Sequence, residues 1–76
     1  MLKNINIDDN NILFSPEIGN SYQLNEISKN IIKKIRIGEN DEEIIKDISD
    51  EYNISKDDVY IDYMDFKTKL KVYGLL

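Results

Sequence analysis

The sequence predicts an α+β fold: a short three-stranded antiparallel sheet followed by three helices. Three observations carry this. Apolar residues alternate with polar ones before about residue 25, then recur every three or four residues, and Gly, Asn and Ser stand where turns and caps are needed. The 76 residues are expected to form a single domain over 1–76, with strands in 1–25 and helices in 26–76. Helices following strands in this order group on one side of the sheet.

The first strand is read from Ile5 and Ile7 alternating with Asn4, Asn6 and Asp8. Asp8-Asp9-Asn10-Asn11 is a turn cluster. Ile12-Leu13-Phe14 makes the second strand, which Pro16 ends or bulges near Ser15 because it cannot donate to a ladder. Gly19-Asn20 marks a further turn, and Ser21-Tyr22-Gln23-Leu24 alternates again as the third strand. Leu24 and Tyr22 share the core side there, leaving Ser21 and Gln23 turned away.

Asn25 caps the first helix, whose stripe is Leu24, Ile27, Ile31 and Ile35, and Gly38 supplies its left-handed stop. Asn40-Asp41-Glu42-Glu43 reads as a capping box, followed by the apolar face Ile44, Ile45, Ile48 and Tyr52. Ser55-Lys56-Asp57-Asp58 opens a third helix with core stripe Val59, Tyr63, Phe66, Leu70 and Tyr73. Gly74 ends it, and Leu75-Leu76 fold back or pack as a tail.

Composition then removes whole classes of function. Cys, His, Trp and Ala are absent, so no His- or Cys-based nucleophile pair, redox pair or zinc site can be built. With fourteen Ile among the apolar residues, the core is expected to be built from branched aliphatics plus the five Tyr and two Phe. A chain this short buries only about 60% of its unfolded surface and rarely encloses a dry catalytic cleft. No cofactor, metal or catalytic residue is expected. Residues 1–9 hold no apolar run resembling a signal peptide, and no stretch reaches the ~20 apolar residues of a membrane span. A cytoplasmic, non-catalytic module is the expectation.

The charge of −5 is uneven: −2 over residues 1–25, +3 over 26–37, −7 over 38–58 and +1 over 59–76. Acids at helix starts and bases at helix ends complement the macrodipole, which accounts for much of this pattern. A helix-turn-helix reading would present Lys56, Asp57, Asp58, Asp62 and Asp65 to DNA, repelling phosphates where they need neutralising. Nucleic acid is therefore not the expected partner. A calcium loop from Asp9 fails because Phe14 stands where the turn requires Gly, and the Asn53-Ile54-Ser55 sequon reads as an interhelical turn.

One overall pattern is more specific. Tyr22-x-Leu24-Asn25 leads into an Ile-rich helix and the Gly38 turn, and the capped Glu42-Glu43-Ile44-Ile45 helix ends in Glu51-Tyr52. The chain closes with Asp62-Tyr63-x-x-Phe66-x-x-x-Leu70-x-x-x-Gly74-Leu75-Leu76. From about Ile12 to Leu76 this resembles the PqqD-like family, the RiPP recognition elements, although Ser28 and Ile31 stand where the family usually shows small residues. The resemblance implies a winged helix-turn-helix-like domain without catalytic activity. It also implies that the domain acts as a peptide chaperone, binding the leader of a ribosomally made precursor peptide. The leader would add as a strand beside the third strand, against the third helix. Presentation would be to a modifying enzyme such as a radical SAM protein, a cyclodehydratase or a leader peptidase, in natural-product biosynthesis.

The residues are compatible with that role. A three-stranded sheet has two edges, and residues 21–24 carry neither Lys nor Pro to blunt one of them. With Phe66 at zero on a helical wheel, Val59, Leu70 and Tyr73 fall within about 40° and Tyr63 near 60°. Tyr60, Met64, Lys67 and Lys71 form a stripe at roughly 100–160°, with Ile61 and Val72 on the opposite flank. The expected peptide-binding residues are Ser21, Tyr22, Gln23, Leu24, Tyr60, Tyr63, Met64, Lys67 and Lys71. Either flank of the helix is open to the groove at this stage. The same edge suits a second copy, giving a homodimer, and an acidic winged-helix transcriptional regulator or a structural interaction domain are the alternative functions.

Overall fold

In a computed structural model the chain folds as three strands followed by three helices, described over residues 5–15, 19 and 21–76. The elements are β1 (Asn6–Ile7), β2 (Ile12–Phe14), β3 (Ser21–Gln23), α1 (Glu26–Arg36), α2 (Asp41–Tyr52) and α3 (Lys56–Val72). The sheet is antiparallel in the order β1-β2-β3, as short strands joined by tight turns predict. β2 ends at Phe14, before Pro16. Pro16 itself and the Asn20 half of the second turn lie outside the described residues, as does Asn4 of the first strand.

The first turn closes through Asp8, whose carboxylate accepts from the amides of Asn10 (2.9 Å) and Ile12 (3.0 Å). Asn11 takes the left-handed conformation (φ 61°) that Asn tolerates best among residues with a Cβ. Each helix start is satisfied by the expected side chain: Asn25 accepts from Ser28 N, Asn40 from Glu43 N, and Ser55 from Asp58 N. At Asn40 the box is reciprocal, because Glu43 accepts from the Asn40 amide.

α1 and α3 end alike. Glu39 N donates to Lys34 O and Gly38 N to Ile35 O, with Gly38 at φ 90°; Leu75 N donates to Leu70 O and Gly74 N to Lys71 O, with Gly74 at φ 75°. Both are Schellman closures. The second turns Leu75 into the core, 2% exposed, beside Leu70. The tail therefore packs inward.

Two buried clusters result. Ile5, Leu13, Leu24, Ile32, Leu70 and Leu75 fill the space under the sheet. Ile31, Ile44, Ile48, Val59 and Tyr63 join the three helices. α1 lies between them, so Ile31 enters one cluster and its neighbour Ile32 the other. Ile32 stands outside the stripe read from sequence, because a helix packed on two sides buries more than one stripe. Across α1 and α2, Lys34 pairs with Asp47 (3.5 Å) and Glu51 (3.2 Å), and Asn30 donates to Glu51 and to the Tyr52 hydroxyl, both at 2.9 Å.

Candidate functional site: the β3 edge and the third helix

The ladder fixes which main-chain groups of β3 are spoken for. Leu24 N donates to Asn11 O (2.8 Å), which makes Asn11 and Leu24 a hydrogen-bonded pair. Bonded and non-bonded pairs alternate in an antiparallel ladder, so Leu13 and Tyr22 form the next bonded pair. The other side of β2 agrees. Asp8 N donates to Ile12 O, so Ile12 and Phe14 bond towards β1, leaving Leu13 to bond towards β3. Ser21 and Gln23 consequently turn their amides and carbonyls away from β2. Among the described residues, no main-chain hydrogen bond joins them to another element.

Side chains follow the same alternation. Tyr22 is half-buried on the core face with Leu13, and Leu24 is 7% exposed in the core beside it. Ser21 and Gln23 are exposed on the other face. The Gln23 side chain is anchored, with Nε2 donating to the carbonyls of Asn10 (2.9 Å) and Leu24 (3.2 Å). Tyr22 stacks on Tyr73 at the end of α3, with centroids 4.2 Å apart and rings 14° from parallel. That stack ties β3 to the third helix, a contact the wheel could not give because it treats Tyr73 only as core.

The α3 residues expected at the site divide into two groups. Tyr63 is 1% exposed, and its hydroxyl donates to Asp41 at 2.5 Å. Lys67 donates to the same Asp41 oxygen (3.1 Å), with its ammonium 5.5 Å from the centre of the Tyr63 ring. These two side chains bind α2 to α3. Burial, then the bond to Asp41, pushes the Tyr63 hydroxyl pKa up; the bonds from Tyr63 and Lys67 hold the Asp41 carboxyl below its ordinary value. Tyr60 (53% exposed), Met64 (39%) and Lys71 stay at the surface. Sequence reading took Asp41 only for an acid at a helix start. Its second role depends on Tyr63, 22 residues away, which no local pattern displays.

A family model described as Coenzyme PQQ synthesis protein D (PqqD) matches residues 10–76, which takes in β2, β3 and all three helices. The chain belongs to the PqqD family. No curated protein and no solved structure matches it. The PqqD-family match covers both the β3 edge and α3, and leaves only β1 and the residues around it outside. Among the described residues of this PqqD-family chain, no helix is long and apolar enough to cross a membrane.

Proposed function

We propose that this protein is a non-catalytic leader-peptide-binding module, which captures a ribosomally synthesised precursor by strand addition to β3 and presents it to a modifying enzyme. One observation carries the reading. The outward amides and carbonyls of Ser21 and Gln23 stand on an edge that no other described element pairs with. Membership of the PqqD family supports it. Main-chain pairing at Ser21 and Gln23 supplies affinity, while α3 supplies the side-chain contacts that select the sequence. Tyr22 and Leu24 hold the strand in register from beneath, and Tyr63 with Lys67 keeps α3 on α2. Tyr60, Met64 and Lys71 are exposed on the flank of α3 that also carries Lys67. Catalytic gain comes from concentration: a tethered leader raises the local level of the core peptide at a neighbouring active site, whether of a radical SAM protein, a cyclodehydratase or a leader peptidase.

The test is an NMR titration of labelled protein with synthetic leader segments of candidate ribosomally made precursor peptides. Amide shifts centred on Ser21 and Gln23, extending to α3, are the expected outcome. Binding that leaves both amides unmoved would sink strand addition at this edge. Shifts at the same amides on raising protein concentration without any leader would identify a homodimer instead.

A further inference from the structure

We propose that the segment recognised along β3 is cationic, with an aliphatic residue near the Tyr22 and Tyr73 stack, and that the flank of α3 turned away from α2 is the wall that selects it. This rests on the strand-addition reading and adds the chemistry of the occupant.

Two contacts orient the helix. With Phe66 at zero, Tyr63, Lys67 and Lys71 lie at about 60–140°, and Asp41 of α2 bonds Tyr63 and Lys67 there. β3 meets α3 through Tyr73, at about −20°. Beyond Tyr73, on the side away from α2, Asp58, Ile61, Asp62, Asp65, Lys69 and Val72 fall between about −40° and −140°.

Packing does not account for this flank. Ile61 and Val72 are 59% and 77% exposed, and the three aspartates and Lys69 are exposed too. Asp58 lies in the first turn, where the macrodipole favours an acid; Asp62 and Asp65 lie beyond it, where that effect has faded. Among the described residues no cation comes within ion-pair distance of Asp58, Asp62 or Asp65. Lys69 is the single cation on the flank, one turn before Tyr73, so the flank is net negative.

The spacing suits an extended chain. Successive aspartates stand about 6 and 4.5 Å apart along the axis, and a strand returns a side chain to one face every ~6.6 Å. From Ile61 to Val72 the rise is about 16 Å, which roughly five extended residues cover. Basic side chains at alternate positions meet the aspartates, and an aliphatic one meets Val72. A second copy is a poor occupant, because pairing two β3 edges would bring two acidic flanks together.

The probes are two synthetic peptides of about ten residues, enough to span the wall. They are identical in their alternating Val and Thr positions and carry either Lys or Glu at the remaining ones. Affinity and the Ser21 and Gln23 amide shifts are followed for the wild type and for the exposed double variant Asp62→Lys/Asp65→Lys, whose melting checks the fold. The Lys peptide is expected to move both amides and bind about tenfold tighter than the Glu peptide, a preference that weakens with salt and reverses in the variant. Equal or stronger binding of the Glu peptide to the wild type, with both amides moving, would overturn the cationic occupant and leave strand addition standing. An unchanged Lys-peptide affinity in the variant would overturn the assignment of the flank. If neither peptide moves Ser21 and Gln23, strand addition to this edge fails and the inference falls with it.

Discussion

The two buried clusters are built by different means. The helix cluster draws Ile31, Ile44, Ile48, Val59 and Tyr63 from one continuous stretch of chain, on three helices that each carry their own cap. The sheet cluster joins Ile5 and Leu13 to Leu70 and Leu75 from the far end, through strands of two or three residues. Strands so short are not stable alone, so the sheet depends on helices already in place. The half of the molecule with the open edge is thus the half with the lower expected local stability. Half-buried Phe66 packs against both clusters and links them.

Truncating one residue on each side is the harshest way to break this contrast. Ile44 is 0% exposed and Leu13 1%. Either change to Ala is expected to cost about 2–5 kcal/mol, against a total of roughly 4–11 kcal/mol for a chain of this size. The consequences differ in kind. Ile44→Ala is expected to lose helical circular dichroism and sheet protection together. Leu13→Ala is expected to lose amide protection at Tyr22 and Leu24 first, while most helical signal persists. Hydrogen exchange and denaturation followed in parallel check it; simultaneous loss of both signals in Leu13→Ala would make the two clusters one cooperative unit.

The same contrast marks how far the sequence could be read. Strand order, helix order, three caps and two glycine stops were legible, because each depends on residues within a few positions of one another. The apolar stripe of α3 was legible too. What escaped was set by packing between distant elements. Ile32 is buried because α1 is covered on two sides, Tyr73 stacks on Tyr22, and Asp41 gathers Tyr63 and Lys67. The candidate site divides accordingly. The edge strand at residues 21–23 follows from sequence, whereas the flank of α3 proposed as the other wall emerges only once α2 is seen on the opposite side.

A smaller effect tests the joint between the halves. Tyr22 and Tyr73 are both half-buried, so replacing either alone loses packing as well as the stack. A double-mutant cycle with Tyr22→Leu and Tyr73→Leu isolates the pair, and a coupling of about 0.5–1.5 kcal/mol is expected. A coupling indistinguishable from zero would mean that β3 is held to α3 by Leu24 and Leu13 instead, and that the stack is incidental.

The smallest effect lies in the helix half and has a defined pH window. Tyr63, then Lys67, lowers the Asp41 pKa from its ordinary 3.8 by hydrogen bonding. A carboxyl depressed on folding adds stability that is complete above its unfolded pKa and fades as pH falls through the folded one. The Asp41 side chain is 57% exposed, so the contribution belongs with exposed pairs, at most about 1 kcal/mol. The stability difference between wild type and Asp41→Asn should therefore stay constant down to about pH 5 and shrink below about pH 4. Asp41 also sits at a helix start, where any acid would produce part of this slope. Tyr63→Phe separates the two sources, since it removes the largest cause of the depression and leaves the macrodipole untouched. With Tyr63→Phe in both chains, the difference between Asp41 and its Asp41→Asn variant is expected to change less steeply in acid, read from denaturant midpoints across pH. An unaltered slope would assign the effect to the helix end and leave the Tyr63 hydroxyl with a packing role only.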